Sequence, residues 1–168
     1  MRNGLIAVIV IAVIIVFFLA SGYNGIVSRH ENIIAAWAQV EHQLQRRNDL
    51  IPNLVNSVKG YAGHEKTLFE DITRARSQWQ TAATVDAKVK AASAVDSALS
   101  RLIAVAENYP ILKADSTFLK LMDELAGTEN RISVERMRYN EAVRIYNTSV
   151  RMFPGNVISG MFGFRPAT

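Results

Sequence analysis

Apolar residues recur along this chain at spacings of three and four, with polar residues filling the intervals. The first row is Ile26, Ile33, Trp37, Val40 and Leu44, with His30 in the same stripe. A second comprises Leu54, Val58, Tyr61, Leu68, Ile72, Ala75 and Trp79. A third, rich in alanine, comprises Val85, Val89, Ala92, Val95, Leu99, Leu102 and Ala106. The longest runs through Phe118, Leu121, Leu125, Ile132, Tyr139, Tyr146, Val150 and Phe153. Such a stripe buries one face of an α-helix, and sustained spacing near 3.5 suits bundle or coiled-coil packing. No run of alternating β-branched residues competes with it. The pattern predicts an all-α fold.

Cap and turn residues divide the pattern. Asp49 is expected to cap a helix carrying Pro52 in its first turn, where the missing N–H is harmless. Thr81 to Thr84 mark a turn, and Asp86 suits the first turn of the next helix. Pro110 breaks the third helix, Asp115 or Ser116 caps the fourth, and Pro154-Gly155 ends it. Short connections favour antiparallel neighbours, so residues 23–153 are expected to form an antiparallel four-helix bundle of long helices. Its fourth helix, from Ala114 to Phe153, would measure roughly 58 Å at about 1.5 Å per residue.

One stretch has no polar face. No charge occurs from Gly4 to Gly22, and these 19 residues are almost all strongly apolar. As a helix they span roughly 28 Å, close to the hydrocarbon thickness of a bilayer. A signal peptide cleaved at Ala20-Ser21-Gly22 is the rival reading, but this apolar run is longer than such a segment needs. Residues 1–22 are therefore expected to be a retained, single-pass transmembrane anchor. The amino terminus and Arg2 precede the span and Arg29 follows it, a balance that favours an inside amino terminus and an outside domain.

The opposite end completes this picture. A fourth helix that returns toward the anchor would deliver residues 154–168, "PGNVISGMFGFRPAT", to the bilayer. After Glu141 the only charged side chains are Arg144, Arg151 and Arg165. Together with Phe162 and Phe164, these arginines are the candidate membrane contacts, cations for headgroups and rings for the interface. Alternatively, the apolar tail folds back to close the end of the bundle.

Composition narrows the chemistry. The net charge of +4 arises from 19 basic and 15 acidic residues that are mostly interspersed, and there is no cysteine. Disulfides and thiolate chemistry are excluded. The charge balance and the lack of aromatics alternating with basic residues argue against a nucleic-acid partner. No Glu-x-x-His pair of a di-iron bundle occurs, and His64-Glu65 lacks the second histidine of a zinc-protease helix. Nor is there a phosphate-binding loop, dinucleotide fingerprint or nucleophile elbow. No catalytic residue, metal or cofactor is expected, and the chain reads as a non-enzyme.

Several apolar seams are nonetheless interrupted. Arg47 lies on the 33-37-40-44-47-51 stripe and Glu65 on the 54-58-61-65-68-72 stripe, while Thr128 and Glu135 break the last row. Arg46, Arg47, Glu65, Glu129, Asn130 and Arg131 are the candidate members of an ion-paired layer that fixes helix register. A substrate or proton site inside the bundle is the functional alternative, but no nucleophile or metal set accompanies it.

The stretches "AWAQVEHQLQRRNDLIPNLVNSVKGYAGHEKTLFEDITRAR" and "YPILKADSTFLKLMDELAGTENRISVERMRYNEAVRIYNTSVRMFP", with the closing "FGF", resemble the LemA family from Tyr23 to Phe164. The resemblance implies a long-helix bundle behind one amino-terminal span, in the plasma (inner) membrane of a bacterium, so that the outside domain would be periplasmic. It carries no established catalytic residues. Family members at magnetosome membranes imply membrane organisation, and others encoded near membrane metalloproteases imply an adaptor role. The leading expectation is a scaffold whose copies form a homo-oligomer that organises or remodels the lipid bilayer. The alternative is an adaptor or regulator of a membrane protease or envelope-stress system.

Overall fold

A computed structural model describes residues 2–167, with side chains from Asn3 onward. Thr168, the last residue of the expected tail, and the side chain of Arg2 lie outside that description. Every regular element among the described residues is a helix: α1 Arg2–Lys59, α2 Lys66–Thr81, α3 Val85–Ala106, α4 Pro110–Lys113, α5 Ser116–Arg151 and α6 Gly155–Phe162. They form two compact units. A terminal unit joins Met1–Glu41 to Ser133–Thr168, and a central unit comprises His42–Ile132.

α1 does not break where its cap signals suggested. It passes through Asp49 and Pro52 and stops at Lys59. Proline inside a helix deprives the carbonyl four residues back of its donor and costs about 3 kcal/mol. Against this, Leu50, Ile51, Leu54 and Val58 are all buried on the same stretch, and each fully buried aliphatic side chain contributes about 1.5–3 kcal/mol. Burial wins. Asp49 is left to accept a hydrogen bond from Gln45 Nε2 at 2.7 Å rather than to cap a helix. The break comes instead at Gly60–Glu65, which leaves Tyr61 exposed and makes Glu65 the N-cap of α2.

In the central unit α2 and α3 form an antiparallel pair. Arg101 on α3 reaches Asp71 on α2 at 3.0 Å, and Lys88 Nζ lies 4.8 Å from the centre of the Trp79 ring. The Thr84 hydroxyl accepts from the Ala87 N–H and so caps α3. Ala91, Ala92, Ala98 and Ala106 are buried along α3, whereas Val85 and Val89, which the apolar stripe included, stay exposed ahead of the first buried turn. α5 is capped by Asp115, whose Oδ1 accepts from the Thr117 and Phe118 N–H groups at 2.9 Å each.

In the terminal unit α1 and α5 run antiparallel. The His30 and Tyr146 rings lie 5.5 Å apart, and Trp37 meets Tyr139 edge-on at 5.4 Å. Each step covers one heptad, 30 to 37 on α1 and 146 to 139 on α5. Ile26, Ile33, Tyr146, Val150 and Ile158 form the buried cluster, with Leu19, Val143 and Phe164 against it. α5 ends at Arg151, before Phe153, whose ring is left 81% exposed.

The tail folds back, as the second of the two expectations had it. α6 buries Ile158, and a side chain at Gly22 would collide with that isoleucine. The Tyr146 hydroxyl donates to the Arg165 carbonyl at 2.9 Å, and the Asn147 amide pairs with both backbone groups of Ala167 at 2.9 and 2.8 Å. Gly163, at φ +78°, provides the left-handed residue that ends α6. At the other extreme, the large apolar side chains from Leu5 to Phe18 stay exposed to the surroundings. Such a surface is stable in lipid rather than water.

Candidate functional site

The most distinctive surface of the terminal unit surrounds Gly22, where the apolar run of α1 ends. Ile158 packs inward beside Ile26, and the apolar residues that flank it on α6 are only partly covered. Val157, Met161 and Phe162 are exposed, as are Met152 and Phe153 just before the helix, an apolar collar around α6. The Tyr23 ring, one residue past the apolar run, lies 4.9 Å from Phe162 and 5.5 Å from Phe164. These contacts, with Ile158 against Gly22, hold α6 beside the end of the span. An amphipathic helix in that position suits the boundary between headgroups and acyl chains.

Of the expected membrane contacts, Phe162 is in this collar and Phe164 packs partly into the cluster beneath it. Arg151 and Arg165 are exposed, and Arg165 also supplies the carbonyl that receives the Tyr146 hydroxyl. Arg144 is exposed and grips Glu141 through two bonds, Nε to Oε2 at 2.8 Å and Nη2 to Oε1 at 2.6 Å. That paired hydrogen bond holds the Glu141 carboxyl below the usual carboxylate range and raises Arg144. Burial pushes the Tyr146 phenol up.

A second constellation lies within the central unit. Arg47 of α1 is only 2% exposed, among the largest side chains to be buried so fully. It pairs with Asp96 of α3 and with Glu129 of α5 at 3.1 Å, and its Nη2 lies 3.4 Å from the Ala92 carbonyl. One guanidinium thus ties three helices. Both carboxylates keep contact with water, at 39% and 53% exposure, which lowers the cost of bringing the cation inside.

Other polar atoms there are less well served. Gln43 Oε1, Arg47 Nε and both amide atoms of Asn48 are buried without a hydrogen-bond partner among the described residues. Thr128 satisfies itself by donating to the Glu124 carbonyl at 2.8 Å.

The structure brings Arg47 and Glu129 together and places the other candidates elsewhere. Glu65, carried off the stripe by the break at Gly60–Glu65, faces His64 at 3.6 Å. Arg46 and Arg131 are exposed around an open pocket of about 250 Å³ with Asp123 and Glu124, and Asn130 is exposed. Asp96, the strongest partner, was missed in the sequence although it follows Val95 on the buried side of the alanine-rich helix. An acid one residue off an apolar stripe is the signal that could have found it.

Comparison with known proteins gives this geometry a context. The model of the LemA family matches residues 36–168. Magnetosome proteins MamQ 1 and MamQ 2 of Paramagnetospirillum magneticum are each 28% identical to the chain, over 99% of its length and 72% of theirs. Protein LemA of Metamycoplasma hominis is 26% identical over 86% of the chain and 67% of its own length.

Proposed function

The chain belongs to the LemA family, and from that premise we propose that it is a non-enzymatic, single-pass membrane scaffold whose copies assemble to organise or remodel the bilayer. It resides in the plasma (inner) membrane of a bacterium, with the residues beyond Gly22 on the periplasmic side. The single observation that carries this reading is the exposed apolar collar of Met152, Phe153, Val157, Met161 and Phe162 around α6, a helix that Phe162 on Tyr23 and Ile158 on Gly22 hold beside the end of the apolar span. Embedding a half-exposed apolar side chain contributes roughly 1 kcal/mol. Five such groups in one leaflet act as a wedge, which expands that leaflet relative to the other and favours curvature. The likeness to proteins named for the magnetosome supports a role at a membrane.

The test is light scattering on the full-length protein in mild detergent, followed by electron microscopy of vesicles that carry it. The expected result is a large, discrete particle and vesicles drawn into tubes or smaller spheres. Replacing Met161 and Phe162 together by serine should keep the particle and abolish the change in vesicle shape. A monomer or dimer that leaves vesicles unchanged would overturn the scaffold and turn attention to an adaptor for a membrane protease.

A further inference from the structure

In the terminal unit α5 has two apolar faces, and only one of them is covered among the described residues. Tyr139, Tyr146 and Val150 turn toward α1, where Trp37 and His30 meet the two rings. Val134, Met137 and Ile145 are exposed, at 41%, 65% and 43%, and so is Met152 just past the helix end. The Met152 N–H still donates to the Thr148 carbonyl at 2.9 Å, so this residue continues the helical path. At about 100° per residue, all four fall within roughly 60° of the direction straight away from the Tyr139–Tyr146–Val150 row. With Glu141 and Thr148, both exposed, they form a single row spaced by three, four, four, three and four residues.

Such a row is what one helix presents to another, and its charges narrow the choice of helix. Glu141 stands mid-row with Arg138 and Arg144 on either flank. Acids and arginines are matched in number, Glu135 with Arg138 at 2.8 Å and Glu141 with Arg144 at 2.6 Å. A partner of one sign gains little from a balanced row, whereas a copy of the same row offers an arginine to each acid. Packing points the same way. Among the described residues this unit sets two long helices side by side, α1 and α5. Two such pairs make a four-helix bundle, in which each helix packs on two neighbours. Confinement to one bilayer also raises the effective concentration of one copy around another.

We propose that α5 of a second copy covers this row. Both copies cross the bilayer in the same direction, so the two α5 helices run parallel and equal positions face each other across a twofold axis. Met137 and Ile145 meet their own counterparts, and Arg138 and Arg144 flank Glu141 of the other copy. A twofold face joins copies in pairs, so a larger particle needs a further contact between pairs. The inference rests on the membrane-spanning, self-associating part of the proposed function and names the face that part uses.

The chain has no cysteine, so single substitutions read the pairing directly. The test is mild oxidation of full-length Met137→Cys and Ile145→Cys in vesicles, beside light scattering of the protein in mild detergent. Cysteines whose Cα atoms lie within about 7 Å can form a disulfide, so each variant should run mainly at twice the mass of the chain. The control Ile34→Cys, exposed on α1, should stay mostly single. Met137→Lys with Ile145→Lys charges an already exposed face and should lower the particle mass by about twofold or more. If the lysine variant does not fold, the crosslinks decide alone. Crosslinked pairs without a larger particle keep this face and overturn the scaffold. A large particle in which neither cysteine variant crosslinks, or all three crosslink equally, overturns this face alone and leaves the row to solvent or to another protein. So does a folded lysine variant of unchanged mass. A wild type that stays monomeric overturns both.

Discussion

The two units of this molecule solve one problem, the alignment of long helices, with different chemistry. The central unit ties α1, α3 and α5 through a single buried guanidinium, while the terminal unit sets α1 against α5 with two ring pairs one heptad apart. Ring pairs give up little on burial and contribute beyond the area they cover. A buried arginine must first lose its water and recovers that loss only through good partners. If the buried guanidinium sets register, the central unit gives up net stability for an interaction that only one alignment satisfies, whereas the terminal unit relies on contacts that cost little to bury. Variants of Arg47 therefore test whether specificity and stability are divided between the two units.

The largest expected effect follows from that contrast. Arg47→Ala leaves two half-exposed carboxylates without their cation and opens a cavity, and should cost about 2–4 kcal/mol. Hydrogen exchange followed by mass spectrometry should show the loss in peptides of α3 and the first half of α5. Arg47→Met fills most of the volume without charge and should recover much of the stability while loosening register. If Arg47→Ala melts and exchanges like the wild type, the layer does not hold these helices together.

Next in size, and opposite in sign, is Asn48→Leu. Its amide is buried with neither polar atom hydrogen-bonded among the described residues, and each such group costs about 1–3 kcal/mol. Leucine is close in volume, so the variant should melt higher, a gain of about 1–2 kcal/mol. A lower melting temperature would mean that the amide has a partner in solution, and the central unit would then be less wasteful than it looks.

The sequence made part of this contrast legible. The 26-33-40-44 and 132-139-146-150 rows marked the faces that α1 and α5 bury, because a helical stripe depends only on local period. The turn at Thr81 to Thr84 and the cap at Asp115 were equally local. Pro52 misled, because its cost is local while the burial of Ile51, Leu54 and Val58 that outweighs it is tertiary. The same shift of the break to Gly60–Glu65 removed Glu65 from the stripe on which it had been counted. Arg47 was visible as a charge on an apolar seam, but Asp96 could be assigned to it only once α3 was placed beside α1. Of the membrane-facing surface, the apolar tail was readable; that Tyr23 and Gly22 fix it at the end of the span was not, since no short-range pattern joins residue 22 to residue 158.

A smaller effect tests the terminal unit. Tyr146→Phe removes the hydrogen bond to the Arg165 carbonyl and should cost about 1 kcal/mol, with faster exchange in the tail. Burial raises this phenol above its ordinary value, so the unfolded chain loses its proton first as the solution becomes alkaline. Stability from the neutral phenol is then fully present below about pH 10 and declines above it. The phenylalanine variant should lack that alkaline decline. An identical decline in both proteins would assign it to another group.

The smallest expected change is the most discriminating about the surface. Glu141 and Arg144 lie fully in solvent, and exposed pairs of this kind contribute little to stability however good their geometry. The depressed Glu141 carboxyl stabilises above the ordinary carboxylate range, and that contribution fades as pH falls through its lowered value. Glu141→Gln should therefore leave the melting temperature at neutral pH almost unchanged, with any small difference from wild type vanishing in acid. A clear loss of stability at neutral pH would make the pair a structural clasp, whereas an unchanged melting temperature would show that the terminal unit keeps its fold through its ring pairs and buried cluster rather than through its surface charges.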